Sequence, residues 1–510
     1  GIWRNEKFDS GTLDISFSKN RMVVENCHFK SGDDYLLLSG SWLSKNKYRI
    51  DRIQSAYKDN YLVNAKPIFI SYQDTAVSVE PFEIHINDGI LDGVLLFGAI
   101  SEGRLKMANF DARVITQFID SKYLDLSGIV FGELSFQNLD NDLSYDVDIA
   151  LKKGNYLGKQ YDQMNLSFLL NSNKLIIDDF SFTADTSLGF ELSGILPFKK
   201  PNKPNAEVSL NTTFKDLPLE MVHRLIPNFF NLEGDATGLL SIGGNLGKTN
   251  FNYEASIDHA VFDKIYLGSL KSKGSYNGAF LSVEYAESND NLDKIFSSGD
   301  VPFDLNLNSD KFGQFFENKN INYTASAKLT SMPFLSTYIS ELDSISGTIN
   351  IDLSLLGPSS AIIRNGEITL SNSSVYTMLI NNPIISVNGK GVLENNILNI
   401  ENLKGSSVNT RDNNFGKIRD NISVSGSIDF SKFFEPNYDL IVNSINNKYI
   451  YLDAIPIDIT GIIDSMNVKV LGKDTVNITG LIEVDEAILF HEFISEDIGE
   501  TLISSDGVVM

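Results

Sequence analysis

The chain has 510 residues, with 42 Lys+Arg against 66 Asp+Glu for a net charge of −24, and 42% of it is apolar. That charge repels nucleic-acid phosphates and anionic membrane surfaces, so no nucleic acid is expected as a partner, while the apolar content suits a packed fold rather than disorder. Cys27 is the single cysteine, so no disulfide framework can form, and it reads as a packing residue rather than a nucleophile.

The chain opens on GIWRNEKF without methionine and closes on SSDGVVM, so it reads as part of a longer polypeptide. A strand is predicted in FSKNRMVVENCHF (17–29), then one ending in LSG at Gly40. The run ILDGVLLFGAI (90–100) contains Asp92 and is too short to span a bilayer. Asp111 is placed to cap a helix with Val114, Ile115, Phe118 and Ile119 on one stripe. LSGIVFGELSF (126–136) then starts a strand at Gly128. In LSYDVDIALK, Leu143, Tyr145, Val147, Ile149 and Leu151 alternate with Ser144, Asp146, Asp148 and Ala150. Residues i and i+2 share one face of a strand, so this run has an apolar face and a polar one. The same period recurs at Met164, Leu166 and Phe168, and again at Val208 and Leu210.

Asp216, Leu217 and Pro218 predict a second helix start, followed by TGLLSIGGNL around Gly238. Phe303, Leu305 and Leu307 read as another strand, and Ser331 with Pro333 as a third helix start. SGTINIDLSLLG places Ile349, Ile351, Leu353 and Leu355 on one face beyond Gly347. Ile422 and Val424 precede Gly426, and TGIIDSMNVKVLG carries Met466, Val468 and Val470 beyond Gly461. Short polar connections (NSN at 171–173, NKPN at 202–205, NDN at 289–291, NNP at 381–383, DNN at 412–414) predict hairpins and hence antiparallel pairing.

Gly128, Gly238, Gly347 and Gly461 are spaced 110, 109 and 114 residues apart, each after a predicted helix or crossing segment. A fixed long period points to stacked supersecondary units rather than independent domains. The expected fold is all-β with a few short helices, a long curled antiparallel sheet. Its repeats are expected at 1–126, 127–236, 237–345 and 346–459, with the start of another at 460–510. Many strands with one apolar face and no second layer need an apolar cover, since bare apolar surface costs about 25 cal/mol per Å². The residues expected to line that face are Val147, Ile149, Leu166, Phe168, Leu305, Ile349, Ile351, Leu353, Ile422, Val424, Val468 and Val470.

The glycine-strand repeats, the helix starts at Phe214–Leu219 and Leu329–Phe334, and the run GIIDSMNVKVLGKDTVNITGLIEVDEAILF resemble the TamB / AsmA-like family of bacterial envelope proteins. Gly480, Ile482, Val484, Ala487, Ile488 and Phe490 carry the most specific part of the likeness, which extends as a pattern along the whole chain. The family's proline after the first glycine strand has a counterpart only in Pro358. The resemblance implies a taco-shaped repeating β-groove in the periplasm of a Gram-negative cell, anchored in the inner membrane by an N-terminal helix. It implies phospholipid acyl chains as the cargo of an apolar groove, and an outer-membrane barrel of the TamA/BamA class as a partner. A role in outer-membrane protein assembly is implied as well.

Catalytic signatures are absent: no G-x-S-x-G, no phosphate-cradling glycine loop and no H-E-x-x-H occurs. His28, His85, His223, His259 and His491 are scattered, and acidic stretches such as QNLDNDLS (137–144) lack a complete calcium-loop pattern. No enzyme activity, cofactor or metal is expected. Two other readings stay open at this point: tandem β-sandwiches of a binding scaffold or adhesin, and an all-β carbohydrate-active enzyme built on a carboxylate pair.

Overall fold

Alternating polar and apolar residues become strands along almost the whole chain. The computed structural model describes residues 2–3, 6–7, 9–18, 21–57, 60–73, 75–116, 126–139, 142–156, 158–171, 173–184, 188–197, 206–225, 232–262, 265–290, 293–332, 342–378, 380–407, 420–432, 435–445, 449–454, 459–473 and 476–489. Backbone contacts divide the chain into two compact units, Gly1–Ala286 with Asp300–Phe316, and Glu287–Gly299 with Glu317–Met510.

In the first unit, β1 (Ile2–Trp3) and β2 (Glu6–Lys7) form a small ribbon. A meander follows: β3 (Ser10–Ser18), β4 (Arg21–Ser31), β5 (Asp34–Ser44), β6 (Lys47–Tyr57), β7 (Asn60–Asn64), β8 (Ile68–Gln73), β9 (Ala76–Ile86), β10 (Gly89–Phe97) and β11 (Ser101–Asp111). After helix α1 (Ala112–Thr116) come β12 (Ile129–Leu139), β13 (Asp142–Tyr156), β14 (Lys159–Leu170), β15 (Lys174–Ala184), β16 (Leu188–Pro197) and β17 (Ser209–Pro218). After helix α2 (Leu219–Leu225) come β18 (Leu232–Asn245), β19 (Lys248–Phe262), β20 (Ile265–Tyr276) and β21 (Leu281–Asp290). Strands from β3 to β20 pair antiparallel in chain order, except that β7 and β8 together form one broken strand between β6 and β9.

The second unit contains most of β22 (Asp293–Val301), then β23 (Asn320–Ser331), β24 (Leu342–Pro358), β25 (Ile363–Thr377), β26 (Ile384–Glu394), β27 (Ile397–Ser406), β28 (Ile422–Asp429), β29 (Asn437–Ser444), β30 (Ile450–Ala454), β31 (Ile459–Gly472) and β32 (Val476–Leu489). From β23 the ladder again runs antiparallel in chain order, with β29 and β30 sharing the edge of β31. This is the expected class, an antiparallel all-β sheet with short helices. Among the described residues, no helix is long and apolar enough to cross a membrane.

Three expectations need correction. Asp216 does not cap a helix: it is a bulge residue at φ 48, and Leu217 and Pro218 still pair with Ala236 and Asp235, so α2 starts later. The Phe303–Leu307 run forms no strand, because Pro302 lacks a donor and the Asp304 carboxylate draws the chain into turns through the Asn306 amide and Ser309 hydroxyl. Gly238 and Gly347 lie inside β18 and β24 rather than at strand starts. The predicted connections NKPN and DNN, most of the third helix, Phe118, Ile119 and Phe490 lie outside the described residues.

Glycines inside the strands, the repeat glycine Gly347 among them, answer to close approach. Gly194 has φ +136, and a Cβ there would stand 1.9 Å from the Ser209 carbonyl of the neighbouring strand. Gly347, at φ +122, would place a Cβ 2.4 Å from Ser373 Cα. Only glycine satisfies both the backbone and the space.

Candidate functional site

Register alone assembles a continuous apolar face across the first unit. Val130, Gly132, Leu134 and Phe136 of β12 stand opposite Leu151, Ile149, Val147 and Tyr145 of β13. Those in turn face Met164, Leu166, Phe168 and Leu170 of β14. A bulge at Asp178–Asp179 preserves the face, with Ile177, Phe180 and Phe182 next to Phe168, Leu166 and Met164. The same side continues through Phe190, Leu192 and Gly194, then Phe214 and Leu210, then Leu240 and Ile242, to Tyr253, Phe251 and Tyr276. Toward the N-terminus it includes Leu105 and Met107, then Leu91 and Gly93, then Phe82 and Ile84. Glycines let large neighbours lie flat on this face: Phe136 covers Gly103, where a Cβ would come within 2.3 Å of its ring.

Burial grades along the strands. At one end, Ala112 and Val114 of α1 pack with Phe110, Val130, Leu151, Met164 and Phe182, all buried. Asp111 caps this helix by accepting the Arg113 amide at 2.9 Å, and the Arg113 side chain, then its backbone donor, hold the Asp111 carboxyl below its usual range against the opposing effect of burial. Tyr161 is buried beside Phe182, its hydroxyl donates to the Ser127 carbonyl, and burial pushes its pKa up to about 12. At the opposite strand ends the face opens: Phe97 is 45% exposed and stacks on Phe136 at 5.8 Å, and Leu143 is exposed too.

The second unit repeats this construction. Leu329, Ala327 and Ala325 of β23 face Ile349, Ile351 and Leu353 of β24, which face Leu370, Ile368 and Gly366 of β25. Ile349 is fully buried in a cluster with Leu329, Leu370 and Val387. Further along, Leu403 and Gly405 face Val424 and Ile422, Val424 faces Val442, and Val442 and Leu440 face Val468 and Val470.

The other face carries charged side chains, several of them paired, beside exposed apolar ones such as Phe131, Leu239 and Ile441. Glu133 is held below its usual carboxylate range first by a hydrogen bond from Arg104, and Glu367 first by one from Lys390 at 2.6 Å. Lys469 meets Asp439 at 3.2 Å, and Lys47 meets Glu80 at 2.6 Å. These exposed pairs keep the face solvated and contribute little stability.

Of the residues expected to line the face, Val147, Ile149, Leu166 and Phe168 share one side of the first unit's sheet. Ile349, Ile351, Leu353, Ile422, Val424, Val468 and Val470 share one side of the second unit's sheet. Leu305 stands apart from both: it sits in the turn segment after β22, where its N–H donates to the Tyr276 hydroxyl at 3.0 Å. Sequence reasoning overlooked Phe110, Val130, Leu370 and Leu440, which belong to the same faces. Their signal was register with neighbours rather than alternation within a single run. Among the described residues, no group of three or more His, Cys, Asp or Glu is arranged to hold a metal.

The fold and its faces define an antiparallel β-meander protein with one largely apolar side and one side that carries the charged pairs. Comparison with protein-family models and with curated proteins finds no match.

Proposed function

We propose that the apolar faces carry phospholipid acyl chains, and that the chain is a non-enzymatic segment of a lipid path between the two membranes of a bacterial envelope. The observation that carries this reading is the largely apolar face, built strand by strand through register in each unit and, in the first unit, open at strand ends such as those of Phe97 and Leu143. Pairing of most strands with their successors, from β3 to β20 and again from β23, supports this over tandem sandwiches, in which a second sheet would cover the face. The resemblance to TamB / AsmA-like proteins points the same way. It extends the proposal to an inner-membrane anchor, a periplasmic location and an outer-membrane barrel partner, with assistance to outer-membrane protein assembly as a further role.

The mechanism is passive shielding. Each methylene taken from water into the face gains about 0.8 kcal/mol, so one acyl chain gains on the order of 10 kcal/mol. The headgroup stays in water along the open strand ends. Because every strand offers a similar surface, a lipid meets no deep well and slides from strand to strand. Direction must come from elsewhere.

Titration of the delipidated chain with a fluorescent fatty acid tests the proposal. Several equivalents should bind per chain, and native mass spectrometry of unextracted protein should show co-purified phospholipid. Saturation at no bound fatty acid, with no lipid in the mass spectrum, sinks the reading.

A further inference from the structure

One stretch of the first unit's apolar face already has a cover. Phe251 and Tyr276 lie on that face, and Thr249 lies one step further along it. Tyr276 and Thr249 are 2% and 1% exposed, although Phe97 and Leu143, at the same strand ends nearer the N-terminus, are exposed. The turn segment 302–316 lies over them. Its Leu305 N–H donates to Tyr276 Oη at 3.0 Å, and its Leu307 N–H to Thr249 Oγ1 at 3.2 Å. Asn306 Oδ1 accepts the Thr249 N–H at 3.0 Å, and Asn306 Nδ2 reaches the Gly278 carbonyl at 3.3 Å. Asn308 N–H donates to the Leu246 carbonyl at 3.3 Å.

Three features distinguish this cover from a fixed part of the sheet. The segment holds its own shape: Gly313 N–H donates to Asp304 O at 2.7 Å, Phe316 N–H to Pro302 O at 2.8 Å, and the Phe303 and Phe315 rings stack at 4.4 Å. All but one of its named bonds to the sheet run through a side chain, so it can leave without opening a strand ladder. Its outer side exposes Leu307, Phe312 and Phe315 to 42%, 47% and 44%, an apolar surface that water disfavours and a lipid would cover.

We infer that residues 302–316 form a movable cover of the lipid path, which occupies the face over Thr249, Phe251 and Tyr276 and lifts as one body when an acyl chain takes its place. The inference rests on the lipid reading above and adds a regulated point to it. The closed cover satisfies the hydrogen bonds of Tyr276 and Thr249, so the empty path is stable. An acyl chain replaces that contact with apolar burial, and the segment's own apolar side chains remain in contact with lipid.

The test is a reversible latch. Leu246→Cys and Asn308→Cys, in a Cys27→Ala background, place thiols at positions joined by a backbone hydrogen bond, and thiol titration after oxidation confirms that the bridge has formed. The probe is a diazirine-bearing fatty acid, and labelled residues are read by peptide mass spectrometry. Reduced protein should be labelled at Phe251 and Tyr276 as well as at Leu166. Oxidation should cut labelling at Phe251 and Tyr276 about tenfold and leave Leu166 unchanged. Asn306→Ala, without any latch, should raise labelling at Tyr276 about fivefold by removing hydrogen bonds of the closed state. Equal labelling in the oxidised and reduced proteins, or an Asn306→Ala protein labelled no more than the parent, overturns the cover. Normal labelling at Leu166 with none at Phe251 and Tyr276 in reduced protein also overturns it, since the segment would then be fixed. Labelling at no residue, Leu166 included, overturns the lipid reading and the cover with it.

Discussion

Ile349 and Ile351 share one face of β24 but do different work. Ile349 is fully buried among Leu329, Leu370 and Val387, so truncation to alanine leaves a cavity and should cost about 3 kcal/mol in urea unfolding. Ile351 is only half-buried, so lysine there can keep its ammonium in water along its own stem and should cost no more than about 1–2 kcal/mol. The same lysine places a charge on the face proposed to take acyl chains and should lower the number of fatty acids bound per folded chain. Undiminished fatty-acid binding by Ile351→Lys, at unchanged secondary structure, would detach this face from lipid. Gly194 is a third kind of position: it lies on the face itself, where alanine would strain a backbone at φ +136 and meet the Ser209 carbonyl, so unfolding should begin at markedly lower urea.

At the scale of elements, alternation made the strands legible, because polar and apolar faces demand it. Ile349, Ile351 and Leu353 could be assigned to one side from sequence alone. The joints were less visible. Bulge residues Lys153, His259 and Asn372 adopt φ of 52, 54 and 48 in β13, β19 and β25; histidine and asparagine favour such a backbone, but lysine advertises no such turn. Leu305 misled because its neighbours alternate in hydrophobicity while Pro302 and Asp304 commit the backbone to turns. The cover over Tyr276 had no local signal, since Thr249 and Asn306 meet across a separation of 57 residues.

The same limit applies to β30. This five-residue strand is tied down by buried polar side chains: Asn421 Nδ2 donates to the Ser407 and Tyr449 carbonyls at 2.8 Å each, and Asn382 Nδ2 to the Tyr451 carbonyl at 3.2 Å. Asn382 Oδ1 accepts the Asp453 amide in return. Replacing Asn421 with alanine leaves the buried Ser407 without partners for its carbonyl and its amide, and the Tyr449 carbonyl without that donor. It should cost on the order of 3 kcal/mol and raise hydrogen exchange first in Ile450–Ala454. Uniform exchange across the second unit in this variant would show that the network does not act on β30 locally.

Across the whole molecule, the two faces make opposite predictions about pH. Carboxylates of the polar face and the turns are held low by identifiable donors: Glu83 first by His85, Asp111 by Arg113, Glu133 by Arg104, Glu367 by Lys390, Asp429 by Ser431 and Glu435 by Lys473. Each binds its proton less tightly folded than unfolded. Their contribution to stability is therefore present above the unfolded carboxylate range, near about pH 4, and is lost as pH falls through the lower folded values. Tyr161 has the reverse sign: its raised pKa stabilises fully below about pH 10 and is lost as pH rises toward about 12. The melting temperature should thus fall at both extremes, and Tyr161→Phe should blunt the alkaline fall alone. The apolar faces consist of aliphatic and aromatic side chains that stay uncharged between these limits. Fatty acid bound per folded chain should therefore hold constant from about pH 5 to 9, as long as the fatty acid's own ionisation is corrected for with a neutral lipid probe. If binding of the neutral probe titrated inside that window while the melting temperature stayed level, a charged site rather than the apolar face would be holding the lipid.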